Sequence, residues 1–141
     1  MARLIGCDQN TMLIKDNLSD TVFAMGYTMP TTKQRQRYSN MSYKRKGRKV
    51  ENCLHEARLW GGLEILTSIR EGDWEHLVNG KPTPFSSDPK SENYIDIWKD
   101  LVEHGGADIL MLLGARVFEG SVEVPAPEED EAEEQEDQSQ D

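Results

Sequence analysis

The charges of this 141-residue chain are segregated, and that limits where it can fold. Residues 121–141 hold ten acids (Glu123, Glu128, Glu129, Asp130, Glu131, Glu133, Glu134, Glu136, Asp137 and Asp141) and no base. The whole chain has 26 acids and 16 bases, so residues 1–120 carry 16 of each and the net charge of -10 belongs to the last segment alone. Ten like charges with two prolines and no aromatic residue cannot bury enough apolar surface to offset the entropy lost on ordering. The sequence therefore reads as a single folded domain over 1–120 followed by a disordered acidic tail over 121–141. At 36% hydrophobic residues the domain can build a modest core. No apolar run approaches the roughly 20 residues that a membrane helix needs.

Within the domain, the local pattern predicts an α+β fold. Thr11–Lys15 is a short apolar run and Thr21–Tyr27 a second one with β-branched and aromatic residues, separated by the turn formers Asp16–Asp20. They read as an antiparallel hairpin, with Leu4–Cys7 as a candidate third strand. Pro30 closes this region, and Thr31-x-x-Gln34 is a capping-box pattern that opens a largely polar helix, with interruptions at Ser39-Asn40 and Gly47. Val50–Ile69 has helical periodicity, with Val50, Leu54, Ala57 and Gly61 on one stripe and Leu59, Trp60, Leu63 and Leu66 widening it. Gly61-Gly62 weakens such a helix, and close approach of another backbone, such as the hairpin, would compensate.

Residues 77–91 contain three prolines and an Asn-Gly pair and read as a long loop. A helix follows, with Asp88 or Ser91 as N-cap and an apolar stripe at Tyr94, Ile97, Trp98, Leu101 and Val102. That stripe is expected to pack on Leu54, Ala57, Trp60 and Leu63. Gly105-Gly106 splits or kinks the pattern, a heavily apolar helix continues through Ile109–Phe118, and Gly120 stops it. The expected architecture is a hairpin of two or three short strands with three or four helices.

Chemistry-bearing residues are sparse. His55, His76 and His104 are isolated, and Cys7 and Cys53 form no C-x-x-C pair, so the spacing of a structural zinc site is missing. Two distant cysteines suit a reducing compartment, and the N-terminus lacks the apolar core of an export signal. Glu71, Asp73 and Glu75 could be read as paired catalytic carboxylates, but a solvated turn at a helix end accounts for them. Phosphate-loop, dinucleotide and nucleophile-elbow motifs are absent from the sequence. The chain reads as a non-enzyme without metal or cofactor.

One cluster does point to binding. No acid occurs between Thr21 and Val50, and Lys33, Arg35, Arg37, Lys44, Arg45, Lys46, Arg48 and Lys49 are half of all the bases in the chain. Tyr38 and Tyr43 are interleaved with them, and Tyr27 precedes them. These residues form a candidate interaction surface. Basic residues with aromatics can neutralise phosphates and stack on bases, so nucleic acid is one reading. An acidic protein partner is the other, since the domain is neutral overall and the acidic tail competes for the same strip.

The order of elements around Tyr27–Asn40 and Gly62–Trp74 resembles small proteins of the structural gene clusters of tailed bacteriophages and prophages. In particular, the hairpin-plus-helices arrangement over roughly residues 11–118 is similar to tail assembly chaperones. That resemblance implies a bacterial cytoplasmic protein that acts by protein-protein interaction during virion assembly. Its partners would be other phage structural proteins, the tape measure protein among them. The acidic tail is not a hallmark of that family and leaves room for a neck-region role.

Overall fold

A computed structural model describes residues 9–120 and Pro125; Leu4–Cys7 and the acidic tail lie outside the described residues. The chain is α+β, with four helices and seven short strands among the described residues. β1 (Asn10–Lys15) and β2 (Val22–Tyr27) form the expected antiparallel hairpin, with Met12 opposite Met25 and Ile14 opposite Phe23. Alternation sends Ile14, Phe23 and Met25 into the core and leaves Leu13 outside. The hairpin does not stand alone, because β5 (Leu66–Ile69) pairs with β2 and completes a three-stranded antiparallel sheet in the order β1-β2-β5.

α1 (Thr32–Ser42) starts where the capping box predicts: the Gln34 amide N–H donates to Thr31 Oγ1 at 3.2 Å and the Thr31 N–H to Gln34 Oε1 at 2.8 Å. The expected helix over Val50–Ile69 is shorter at both ends. α2 runs Leu54–Ile65, preceded by β4 (Lys49–Asn52) and followed without a loop by β5. Val50 is exposed on β4 rather than part of the helix stripe. At the other end, Leu66 and Ile69 are buried beside β2. Sheet pairing thus overrides helical periodicity where the two compete: the pairing satisfies the second edge of β2 and buries Leu66 and Ile69 at the same time.

The Pro-rich stretch is also more ordered than its composition implies. β6 (Glu75–Val78) and β7 (Lys81–Pro84) form a hairpin around Asn79-Gly80, whose φ values of 53° and 80° are those of a I′ turn. Val78 and Lys81 close the two-residue turn, so Pro82 and Pro84 fall at alternate positions where a backbone N–H would point away from β6. The prolines therefore cost the ladder no donor.

After β7, Phe85 and Ser86 turn inward, and Ser86 takes the backbone of Asn93 and Ile95 in a short bridge. That engagement keeps 91–95 out of a helix, so α3 begins only at Trp98 (Trp98–Gly105), and neither Asp88 nor Ser91 is its N-cap. Tyr94 and Ile97, counted in the apolar stripe, are exposed. α3 packs on α4 (Ala107–Glu119), and the main partner of α2 is α4 rather than α3. The split at Gly105-Gly106 and the stop at Gly120 are as expected.

The core joins the sheet to α4 through Met25, Ile65, Leu66, Phe85, Val102, Leu110 and Leu113. The reason for Gly62 is a close approach, but of α4 and not of the hairpin. A Cβ on Gly62 would collide with the Leu110 carbonyl, and one on Gly114 with the Arg58 carbonyl, while lying 2.8 Å from the Gly62 nitrogen. Two facing glycines let α2 and α4 touch backbone to backbone.

Candidate interaction surface

The basic cluster is divided between α1 and a β-ribbon that departs from the expected helix and loop. β3 (Tyr43–Lys46) continues directly from α1 and pairs antiparallel with β4, Tyr43 opposite Asn52 and Lys46 opposite Lys49. Gly47, at a φ of 62°, opens the two-residue turn with Arg48. All residues from Tyr43 to Asn52 are exposed. The base of the ribbon is closed by the Cys53 N–H, which donates to the Ser42 carbonyl at 2.7 Å, and by Asn52 Oδ1, which accepts from the Leu54 N–H at 2.9 Å. Buried Ser42 donates in turn to the Tyr38 carbonyl at 2.7 Å.

Opposed residues of an antiparallel pair share a face, so the ribbon has two unlike sides. One carries Tyr43, Arg45, Val50 and Asn52, and the other Lys44, Lys46, Lys49 and Glu51. On the lysine side, Lys46 pairs with Glu51 at 3.1 Å and Lys44 with Glu56 of α2 at 3.9 Å. Such exposed pairs are worth at most about 1 kcal/mol each, but they offset part of that side's charge. Tyr43 and Val50 are 54% and 63% exposed on the other side, next to an arginine that pairs with no carboxylate among the described residues.

Of the residues assigned to the surface from sequence, nine stay on it. Lys33, Arg37, Tyr43, Lys44, Arg45, Lys46, Arg48 and Lys49 are exposed and Arg35 is half-buried. The Arg37 guanidinium lies over Trp60, 5.0 Å from the ring centroid. Tyr38 is the exception. It is buried, stacked on Phe118 with centroids 4.5 Å apart and planes 7° off parallel, and its hydroxyl donates to Glu119. Its place on the inner face of α1, opposite Gly61, makes it a packing residue rather than part of the exposed basic surface.

Glu119, at the end of α4, is the junction of three helices. Arg58 of α2 donates from Nε and Nη2, each at 2.8 Å, while Tyr38 of α1 donates from its hydroxyl. The Arg58 hydrogen bond is the main cause that holds the Glu119 carboxyl below its usual pKa, against the opposing effect of burial. Burial, with the Glu119 bond second, pushes the Tyr38 hydroxyl up. Sequence reading missed Arg58 and Glu119, which are 61 residues apart and have no local signature.

A depressed carboxyl pKa stabilises the fold above the unfolded value of about 4.3, and that contribution disappears as pH falls through the folded value. Wild type is therefore expected to melt above Glu119→Gln at pH 7, with the gap closing in acid below about pH 4. Melting curves across pH 2–7 test this, and a gap that persists unchanged at pH 2 would refute it.

The remaining candidates lie apart from the ribbon, and some of them make contacts that hold the fold together. Asp73 accepts from the Ala24 N–H at 2.9 Å and from Arg70 Nε at 3.0 Å, which ties β2 to the turn after β5. Glu71 accepts from Asn93 Nδ2 at 3.2 Å and from the Ser91 hydroxyl. His76 lies edge-on to Phe85 at 5.2 Å, while His55 and His104 are exposed. Among the described residues, no group of three or more His, Cys, Asp or Glu could hold a metal ion, and no helix is long and apolar enough to cross a membrane. Set against known protein families, curated proteins and solved structures, the chain finds no match.

Proposed function

We propose that this is a non-enzymatic binding protein that takes hold of another protein through the β3–β4 ribbon. The observation that supports this is the two-sided ribbon, exposed over its whole length, with Tyr43, Arg45 and Val50 together on one side. Tyrosine and arginine are the residues that most often anchor protein interfaces, and an adjacent apolar group helps to exclude water from them. A ribbon built to follow phosphates would keep its lysine side free, whereas here Glu51 and Glu56 draw on that charge. Taken with the resemblance to phage tail proteins, the setting we propose is virion assembly in the bacterial cytoplasm. The partners would be tail components, the tape measure protein among them, that present an acidic surface with apolar patches.

The test is coexpression with the tail-tube and tape-measure proteins of the encoding genome, followed by copurification and titration. Tyr43→Ala and Arg45→Ala should each weaken the complex by about tenfold or more, in the range of interface hot spots. Lys44→Ala and Lys49→Ala should alter mainly its salt dependence. The nucleic-acid alternative predicts the reverse order, with lysine losses flattening the salt dependence of binding to a DNA duplex by about one unit per contact. Submicromolar duplex binding at 200 mM salt, unaffected by Tyr43→Ala, would overturn the proposal.

A further inference from the structure

We propose that the acidic segment of this same chain, residues 121–141, docks on the β3–β4 ribbon and the adjoining end of α1, and that a partner must displace it. This rests on the reading of the ribbon as the partner-binding surface. The first argument is where the segment starts. Phe118 and Glu119 line an open cavity of about 340 Å³ together with Arg35, Ser42 and Tyr43, so α4 delivers the chain to the foot of the ribbon. Glu119 does not repel an acidic strand there, because Arg58 holds both of its carboxylate oxygens.

The second argument is charge. Eight of the ten acids fall between Glu128 and Asp137, and the ribbon and α1 carry eight bases. Some of those bases are engaged elsewhere: Lys44 and Lys46 with glutamates, Arg37 over Trp60. Arg45, Arg48 and Lys49 pair with no carboxylate among the described residues, and neither do Lys33 and Arg35.

The third is reach. Seven residues, 121–127, separate Gly120 from the acid block. Fully extended, seven residues span at most about 25 Å. Each strand of the ribbon has four residues, about 13 Å in length. The acid block can therefore meet any part of the ribbon, at the high effective concentration of a tethered ligand. Ion pairs at an exposed surface are individually weak and screened by salt, so the docked segment is held by many replaceable contacts. A partner with apolar anchors for Tyr43 and Val50 offers what the acid block 128–137 lacks.

The experiment compares the full-length chain with a full-length variant in which the eight carboxylates from Glu128 to Asp137 become amides (Glu→Gln, Asp→Asn). In amide-resolved NMR at about 20 mM salt, signals from Tyr43–Asn52 should differ between the two, while those of α4 before Phe118 should coincide. The difference should disappear by about 500 mM salt. It should be independent of protein concentration, because the contact lies within one chain.

Identical ribbon spectra at low salt would overturn the proposal, as would a difference that grows with protein concentration. Arg45→Glu with Arg48→Glu in the otherwise intact chain should in turn shift the signals of 128–137, and unmoved signals would count against docking. None of these measurements uses a partner, so they decide the docking of the segment even where no tail protein binds the ribbon. Where a partner does bind, the amide variant should bind it severalfold more tightly. Equal affinity would mean that the segment does not occupy the partner's site.

Discussion

Phe85→Ala is expected to lower the melting temperature by about 10–25 °C, the largest loss that a single truncation should cause. Phe85 is 2% exposed and ends the β6–β7 hairpin, where its N–H donates to the Trp74 carbonyl at 3.3 Å. Its ring lies 6.5 Å from Trp74 and 5.2 Å from His76, and Trp74 continues the contact to Phe23 of the sheet at 4.6 Å. Removing it opens a cavity at the point where the hairpin, the sheet and α3 meet. Phenylalanine to alanine in such a place costs about 3–5 kcal/mol, and each kcal/mol shifts a domain of this size by roughly 3–5 °C. The backbone bond from Phe85 survives the change, so the loss reads side-chain packing alone. A shift below about 5 °C in a calorimetric scan would show that the hairpin is not attached to the core through this residue.

The second large effect comes from adding an atom group rather than removing one. Gly114→Val places branched carbons where the Arg58 carbonyl and the Gly62 nitrogen already sit, so α2 and α4 must separate. The usual helix gain on replacing glycine is below 1 kcal/mol and works in the opposite direction. Overpacking costs about 1–3 kcal/mol where side chains can yield. Here the obstacle is backbone, which cannot rotate away, so a loss at or above the top of that range is expected. Gly47→Ala is the control: its neighbourhood is open, and only its φ of 62° disfavours alanine, so the loss should stay near 1 kcal/mol. Equal losses at the two positions would mean that the close helix contact is not what Gly114 serves.

Local chemistry was readable in the sequence, and long-range competition was not. The capping box of α1, the hairpin of β1 and β2 and the break at Gly105-Gly106 each depend on residues a few positions apart, and each stands where its pattern predicts. Leu66–Ile69 carries on the helical periodicity of α2, yet the open edge of β2 takes it as a strand. The prolines at 82 and 84 spoke for a loop, although their spacing of two is what a hairpin edge tolerates. Tyr94 and Ile97 had helical spacing but no helix, because Ser86 holds the backbone between Asn93 and Ile95. At the candidate surface, the eight bases that the charge pattern picked out are all exposed or half-buried. That pattern could not separate the two faces of the ribbon, which exist only once Gly47 turns β3 back on β4, and it could not tell that Tyr38 looks inward.

The ribbon leaves α1 and returns to α2 across a single hydrogen bond between Ser42 and Cys53. Its ends are thus fixed by the scaffold whatever lies between them. For a segment joined in this way, doubling the length costs only about 0.6 kcal/mol of closure entropy. Changes in the length or sequence of these ten residues are therefore expected to leave the glycine-mediated helix contact and the three-stranded sheet in place. On the proposed reading of the ribbon as the partner-binding element, the fold is a socket for an interchangeable finger, in which specificity would drift or be grafted without renegotiating the interior.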